Sequence, residues 1–252
     1  MKPSIWIYRS LSLFLGLILT YTGYNYLLLG LGLFIFWSTL IMMVVSLVKD
    51  RVNFNSRLFY VIFLSYLPIH LFIYSLALER LLTSIYGKLF TINSPFLSFS
   101  FTPFIGNSLL SLAYNLIFNP SITIGFPPNY FLDLSFYSIS MGIIIALFIA
   151  SIMDRVVYLY KKTKLVKEVL IIPILGVIGG GSCCVSIPLI LATSIPVANI
   201  ILLSPVGDLA LFIAYITLPP LTALILGLHF RTLIFPKKRM KLLPKNLSRL
   251  DR

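Results

Sequence analysis

Long apolar runs separated by short basic gaps constrain this chain more than any other feature. Continuous runs fall at about 5–22, 27–48, 58–78 and 132–153, and region 169–234 is apolar throughout. A helix needs roughly 17–25 such residues to cross a hydrocarbon layer about 30 Å thick. Of the 252 residues, 59% are hydrophobic and 11% are charged, and mean hydropathy is +1.00. A soluble domain carries about 25% charged residues, and no polar stretch here is long enough to build one. The sequence therefore predicts an all-α, polytopic integral protein of the cell membrane, a single transmembrane domain whose first partner is the lipid bilayer. No small-x-small cleavage site follows the first run, so it is read as a retained span. Glutamine is absent, a weak thermophile trait.

The net charge of +13 sits in clusters between the apolar runs. This distribution suits anionic headgroups and the excess of Lys and Arg in cytoplasmic loops, and it argues against nucleic acid as a partner. Lys49, Arg51 and Arg57 mark one cytoplasmic gap, and Arg155, Lys161, Lys162, Lys164 and Lys167 mark a second. A basic tail over 236–252 marks a third, so both termini are expected in the cytoplasm. Segment 79–131, with only Arg80 and Lys88, is expected outside. Its prolines and aromatics suggest a lid on the outer surface or in the interface.

Region 169–234 starts and ends beside basic residues, so an even number of crossings is expected. It is too short for four helices of about 20 residues. Two spans, 169–190 and 209–234, with a broken or re-entrant segment near 180–208, bring the total to about six transmembrane helices; three ordinary kinked spans with the basic tail outside are the alternative. The breakers are Gly179, Gly180, Gly181, Pro188, Pro196, Pro205 and Gly207. Discontinuous helices of this kind form ion and substrate sites in transporters.

Cys183 and Cys184, the chain's two cysteines, stand inside this break, preceded by Ser182. Pro188 has no N–H for the carbonyl of Cys184, four residues earlier. At a rise of 1.5 Å per residue from 169, the pair lies about 21 Å from the inner face. Soft thiolates select soft metals of the Cu(I) or Hg(II) type. Buried cysteine can equally act as a small hydrophobe, so packing is the competing reading. Ser182-Cys183-Cys184-Val185-Ser186-Ile187-Pro188-Leu189-Ile190-Leu191 resembles the vicinal-cysteine segment of the mercuric ion transport membrane proteins. The resemblance implies that Cys183 and Cys184 accept metal from the outer side and that Pro188 kinks the span. Those proteins pass the ion to a second, cytoplasmic cysteine pair, which has no counterpart here.

Among other polar residues, His70 lies inside the third apolar run, and an ionisable residue there is a functional candidate by default. His70 could instead satisfy the backbone freed by Pro68. Pairing of His70 with His229 around a b-type haem is disfavoured by their depths, and no cofactor beyond the soft metal is indicated. Asp208 is read as the N-cap of the last helix or as a cation or proton ligand, and Asp133 as the cap of the fourth span. No nucleophile–base set, Walker loop, HExxH or dinucleotide fingerprint occurs, so the enzyme classes lack support. The leading expectation is membrane transport or handling of a small solute, a thiophilic metal ion among the candidates, along Gly179, Gly180, Gly181, Ser182, Pro188, Asp208 and His70. The alternatives are a non-catalytic membrane subunit or anchor of a larger complex, respiratory complexes included, and a permease energised by a separate chain.

Overall fold

The computed structural model describes residues 3–163 and 204–232, apart from residues 24, 50, 51, 53 and 55 and the short stretches 87–91, 106–107 and 128–129. Gly179, Gly180, Gly181, Ser182, Cys183, Cys184, Pro188 and the expected span 169–190 lie outside the described residues. Among the described residues, five helices are long and apolar enough to cross a membrane. They are α1 (Pro3–Thr22), α2 (Tyr26–Lys49), α3 (Arg57–Tyr86), α5 (Phe136–Thr163) and α6 (Pro205–Thr232). A short helix, α4 (Leu109–Phe118), and three strands, β1 (Phe96–Ser100), β2 (Ser121–Phe126) and β3 (Tyr130–Ser135), connect α3 to α5.

The chain is mostly helical but not all-α. The lid region contains an antiparallel sheet of order β1-β2-β3. Ser121-Ile122-Thr123-Ile124 supplies β-branched residues that favour a pleated strand. Phe96 pairs with Gly125 and Phe126 with Tyr130. The Phe96 ring lies over Gly125, where any Cβ would collide with it. Pairing of residues 130–135 with β2 also explains why α5 starts at Phe136 rather than at 132. Ser135 caps it: its Oγ accepts the Ser138 N–H at 3.2 Å, and the Ser138 Oγ accepts the Ser135 N–H at 3.0 Å. Asp133, expected as that cap, is a strand residue. In α6 the cap is Ser204, whose Oγ accepts the Gly207 N–H at 3.2 Å. Pro205 takes the first helical position, where a missing N–H matters least. Asp208 is therefore not the cap; it lies in the first turn of the helix.

Contacts fix the helix directions. Gly16 of α1 meets Phe36 of α2, and Arg9 of α1 donates to the Met42 carbonyl, so α1 and α2 are antiparallel. Trp37 packs on Tyr137 while Val44 and Val48 share a groove with Phe148, and Tyr137 reaches Ile216 while Phe148 packs on Phe230, so α2, α5 and α6 run the same way. His70 lies against Gly142 while Tyr74 reaches Tyr137, so α3 runs opposite to α5. Lys49, Arg57, Arg155 and Arg231 consequently share one end of the bundle, and the sheet occupies the other. The core follows α5, where Ile144, Ile145, Ile149, Ile152 and Val156 are buried against α2, α3 and α6.

Two buried asparagines one turn apart hold the loop before α4. Asn115 accepts the Phe104 N–H at 2.9 Å and donates to its carbonyl at 3.0 Å. Asn119 does the same with Thr102, at 3.0 and 3.3 Å. Each amide copies the hydrogen bonds of a neighbouring strand, which satisfies backbone that would otherwise be buried unpaired. Trp37 donates its indole N–H to the Leu116 carbonyl at 3.2 Å. That bond ties the last turn of α4 into the helix bundle.

Candidate functional site

Tyr66, His70 and Tyr74 recur every four residues on α3, so they share one helix face. The His70 ring lies 5.9 Å from each tyrosine ring and is nearly parallel to that of Tyr74. Tyr74 continues the stack onto Tyr215 of α6 at 4.1 Å, and Tyr215 onto Phe118 of α4 at 6.2 Å. Tyr137 of α5 closes the group at 5.9 Å from Tyr74. Four helices thus contribute to one aromatic column, and Tyr74, Tyr137 and Tyr215 are all buried.

The prolines of α6 explain why tyrosines gather here. Pro219 and Pro220 lack the N–H groups that would bond the carbonyls of residues 215 and 216. The Tyr74 hydroxyl donates to the Tyr215 carbonyl at 3.2 Å, and the Tyr137 hydroxyl donates to the Ile216 carbonyl. Both carbonyls released by the proline pair are therefore met by side chains of other helices. Such repair lets a broken helix persist where water is absent.

His70 is buried, and its Nδ1 lies 3.5 Å from the Tyr66 hydroxyl. The expected role of repairing the backbone freed by Pro68 is not what its hydrogen bonding shows: the partner is a side chain. Among the described residues its Nε2 has no hydrogen-bond partner. In either neutral tautomer, that nitrogen is a donor or an acceptor left unmet in apolar surroundings. Room for the ring comes from Gly142 of α5, where an added Cβ would sit 3.0 Å from the His70 Cδ2. The arrangement can hold one hydrogen bond to a small polar species, or one proton, one helical turn from the Tyr74 that meets the Tyr215 carbonyl.

The column connects to the sheet through Ser75. Its Oγ accepts the Asp133 N–H at 2.9 Å. The Asp133 carboxylate accepts the Thr123 hydroxyl at 2.9 Å. Burial pushes the Asp133 carboxyl above its ordinary value of 3.8, against the opposing effect of hydrogen bonds from Thr123 and Ser121. The folded protein then binds this proton more tightly than the unfolded chain. The sign follows: stability from this group is fully present below the unfolded value and is lost as pH rises through the folded one. Asp133→Asn keeps an acceptor for Thr123 and removes the charge. Melting temperatures of parent and variant, measured from pH 3 to 8, are expected to diverge as pH rises, with the parent falling behind. Parallel curves would show that the carboxyl is not under strain.

Of the metal and solute-pathway residues anticipated from sequence, His70 is the one whose side-chain surroundings the structure describes. Asp208 is placed in α6 by its backbone alone, and the cysteine segment lies outside the described residues. Tyr74, Tyr137 and Tyr215 escaped notice. The available signals were the four-residue spacing of Tyr66, His70 and Tyr74, and the proline pair, which predicts two carbonyls in need of donors. Among the described residues, no cluster of three or more His, Cys, Asp or Glu side chains is placed to hold a metal ion. Compared with models of protein families, with curated proteins and with solved structures, the chain matches none of them.

Proposed function

We propose that this chain is a multi-pass cell-membrane protein that moves or handles a small solute or ion within the bilayer. Both termini would then be cytoplasmic and the sheet extracytoplasmic. The gathering of Lys49, Arg57, Arg155 and Arg231 at one end of the bundle supports that orientation. The observation that carries the functional reading is the His70 Nε2, buried against Gly142 of α5 with no hydrogen-bond partner among the described residues. Buried ionisable groups are costly in a membrane and are characteristic of solute and proton routes. The proposed solute is a thiophilic metal ion, with Cys183 and Cys184 as acceptor thiols, which rests on their adjacency and on the local resemblance.

The test is direct metal binding. Purified parent is expected to bind Cu(I) or Hg(II) under competition from a chelator, because the metal displaces the thiol protons. The Cys183→Ser, Cys184→Ser double variant should lose that binding while keeping its fold. His70→Ala should keep the binding but slow metal uptake into proteoliposomes at least tenfold. Equal binding by parent and double-serine variant, or binding by neither, would remove the metal from the proposal. Unchanged uptake by His70→Ala would remove the histidine.

A second reading, a subunit that docks a larger complex, is favoured by the lid. Leu97, Phe99, Leu109 and Leu110 are 70–80% exposed on the strand and helix that begin it. A stoichiometric partner that co-purifies through this surface, and is lost in Leu97→Ser, Phe99→Ser, would support it.

A further inference from the structure

A groove of about 520 Å³ runs between α2 and α6 with α5 as its base. That volume is within the range of small-ligand sites. It arises because α2 and α6 both pack on α5, while α6 turns residues with little side chain toward the gap. Pro220, Ala223 and Gly227 line it there, facing Val44 of α2 and Phe148 of α5. Gly227 is held close to α5: an added Cβ would meet the Phe148 ring at 3.1 Å. From Pro220 to Arg231 the groove follows α6 for about 16 Å by helical rise. Leu224 and Leu228, 59% and 54% exposed, form its outer rim, so it opens sideways rather than into the bundle.

One end of this apolar groove is charged. Arg231 lines it, is exposed, and has no carboxylate partner among the described residues. Lys49 ends α2 at the same end of the bundle. A long hydrocarbon slot closed by an exposed guanidinium matches a molecule with a hydrocarbon chain and an anionic head. Guanidinium also suits phosphate, which it can meet with two parallel hydrogen bonds. We propose that the groove seats one acyl chain of an anionic phospholipid, with the phosphate at Arg231. The inference rests on the membrane embedding proposed above and is independent of any transported solute.

The test uses palmitoyl-oleoyl phosphatidylglycerol and the matching phosphatidylcholine, offered in equal amounts in detergent micelles, with retained lipid counted by native mass spectrometry. The parent is expected to retain phosphatidylglycerol about fivefold over phosphatidylcholine, the effect of one cation at a membrane surface. Arg231→Gln should retain both without preference. Ala223→Phe should fill the slot and lose both, whereas Leu221→Phe, at a position outside the groove lining, should behave as the parent. If Ala223→Phe does not fold, Arg231→Gln decides alone. No headgroup preference in the parent, an unchanged preference in Arg231→Gln, or stronger retention of free oleate than of phosphatidylglycerol would overturn the proposal. A chain that stays soluble without detergent would instead overturn the embedding itself.

Discussion

Replacing Tyr74 and Tyr137 together by phenylalanine is expected to destabilise the fold by about 2–6 kcal/mol. Each substitution leaves a buried carbonyl without a donor, at a cost of about 1–3 kcal/mol. An ordinary interhelical hydrogen bond in a membrane is worth about 0.6 kcal/mol on average, because the separated helices find other partners. The Tyr215 and Ile216 carbonyls differ from that average case. Pro219 and Pro220 have removed their partners within the helix, so no local substitute is at hand. Unfolding by sodium dodecyl sulfate in mixed micelles measures the loss. The decisive control is Pro219→Ala, Pro220→Ala, which restores both backbone donors. In that background the two Tyr→Phe changes should cost little, and the difference between backgrounds is the coupling energy. Equal costs in both backgrounds would show that the hydroxyls do not serve the proline break.

Gly32→Leu is expected to detach α1 from α2. An added Cβ at Gly32 would lie 2.7 Å from the Thr20 backbone nitrogen, and one at Gly16 would lie 2.8 Å from that of Phe36. Those atoms belong to the backbone and cannot rotate away, so the helices must separate. Small residues that let backbones approach closely are the usual basis of helix association in membranes. Overpacking costs about 1–3 kcal/mol where side chains can adjust, and the effect here should reach or exceed the upper end. The Ser12 and Thr39 hydroxyls, 3.0 Å apart, mark the far side of the same contact. Cysteines at positions 12 and 39, in a chain with Cys183 and Cys184 changed to serine, should cross-link efficiently in the parent and poorly with Gly32→Leu. Equal yields would mean that the hairpin does not depend on the glycine contact.

The column at His70 also shows where local reading ends. His70 was visible as an ionisable residue in an apolar run, because that judgement needs only the residues around it. Its unmet nitrogen depends on Gly142, far along the chain, which leaves room for the ring but offers no polar partner. The expectation that Asp133 and Asp208 cap helices failed for a related reason. Serines at 135 and 204 stand nearer the true starts, and the positions of those starts depend on strand pairing and on Pro205.

Hydropathy alone located the long helices, because the match between an apolar run and a bilayer thickness is a property of each segment by itself. Charge clustering likewise predicts that the basic gaps share one side, and Lys49, Arg57, Arg155 and Arg231 do share one end of the bundle. The sheet was not legible in this way. Phe96–Ser100 and Ser121–Phe126 are short, uncharged and flanked by prolines, and their pairing spans the whole of α4. Strands declare themselves only when a partner satisfies their backbone, and here the partner lies elsewhere in the chain. The broken stretch of α6 is the sharpest case. Pro219 and Pro220 announced two free carbonyls, but only the tertiary structure supplied their donors, 141 and 79 residues distant in sequence. The hydrogen-bond deficit is local to one helix, whereas its remedy is a relation between three helices that no single segment contains.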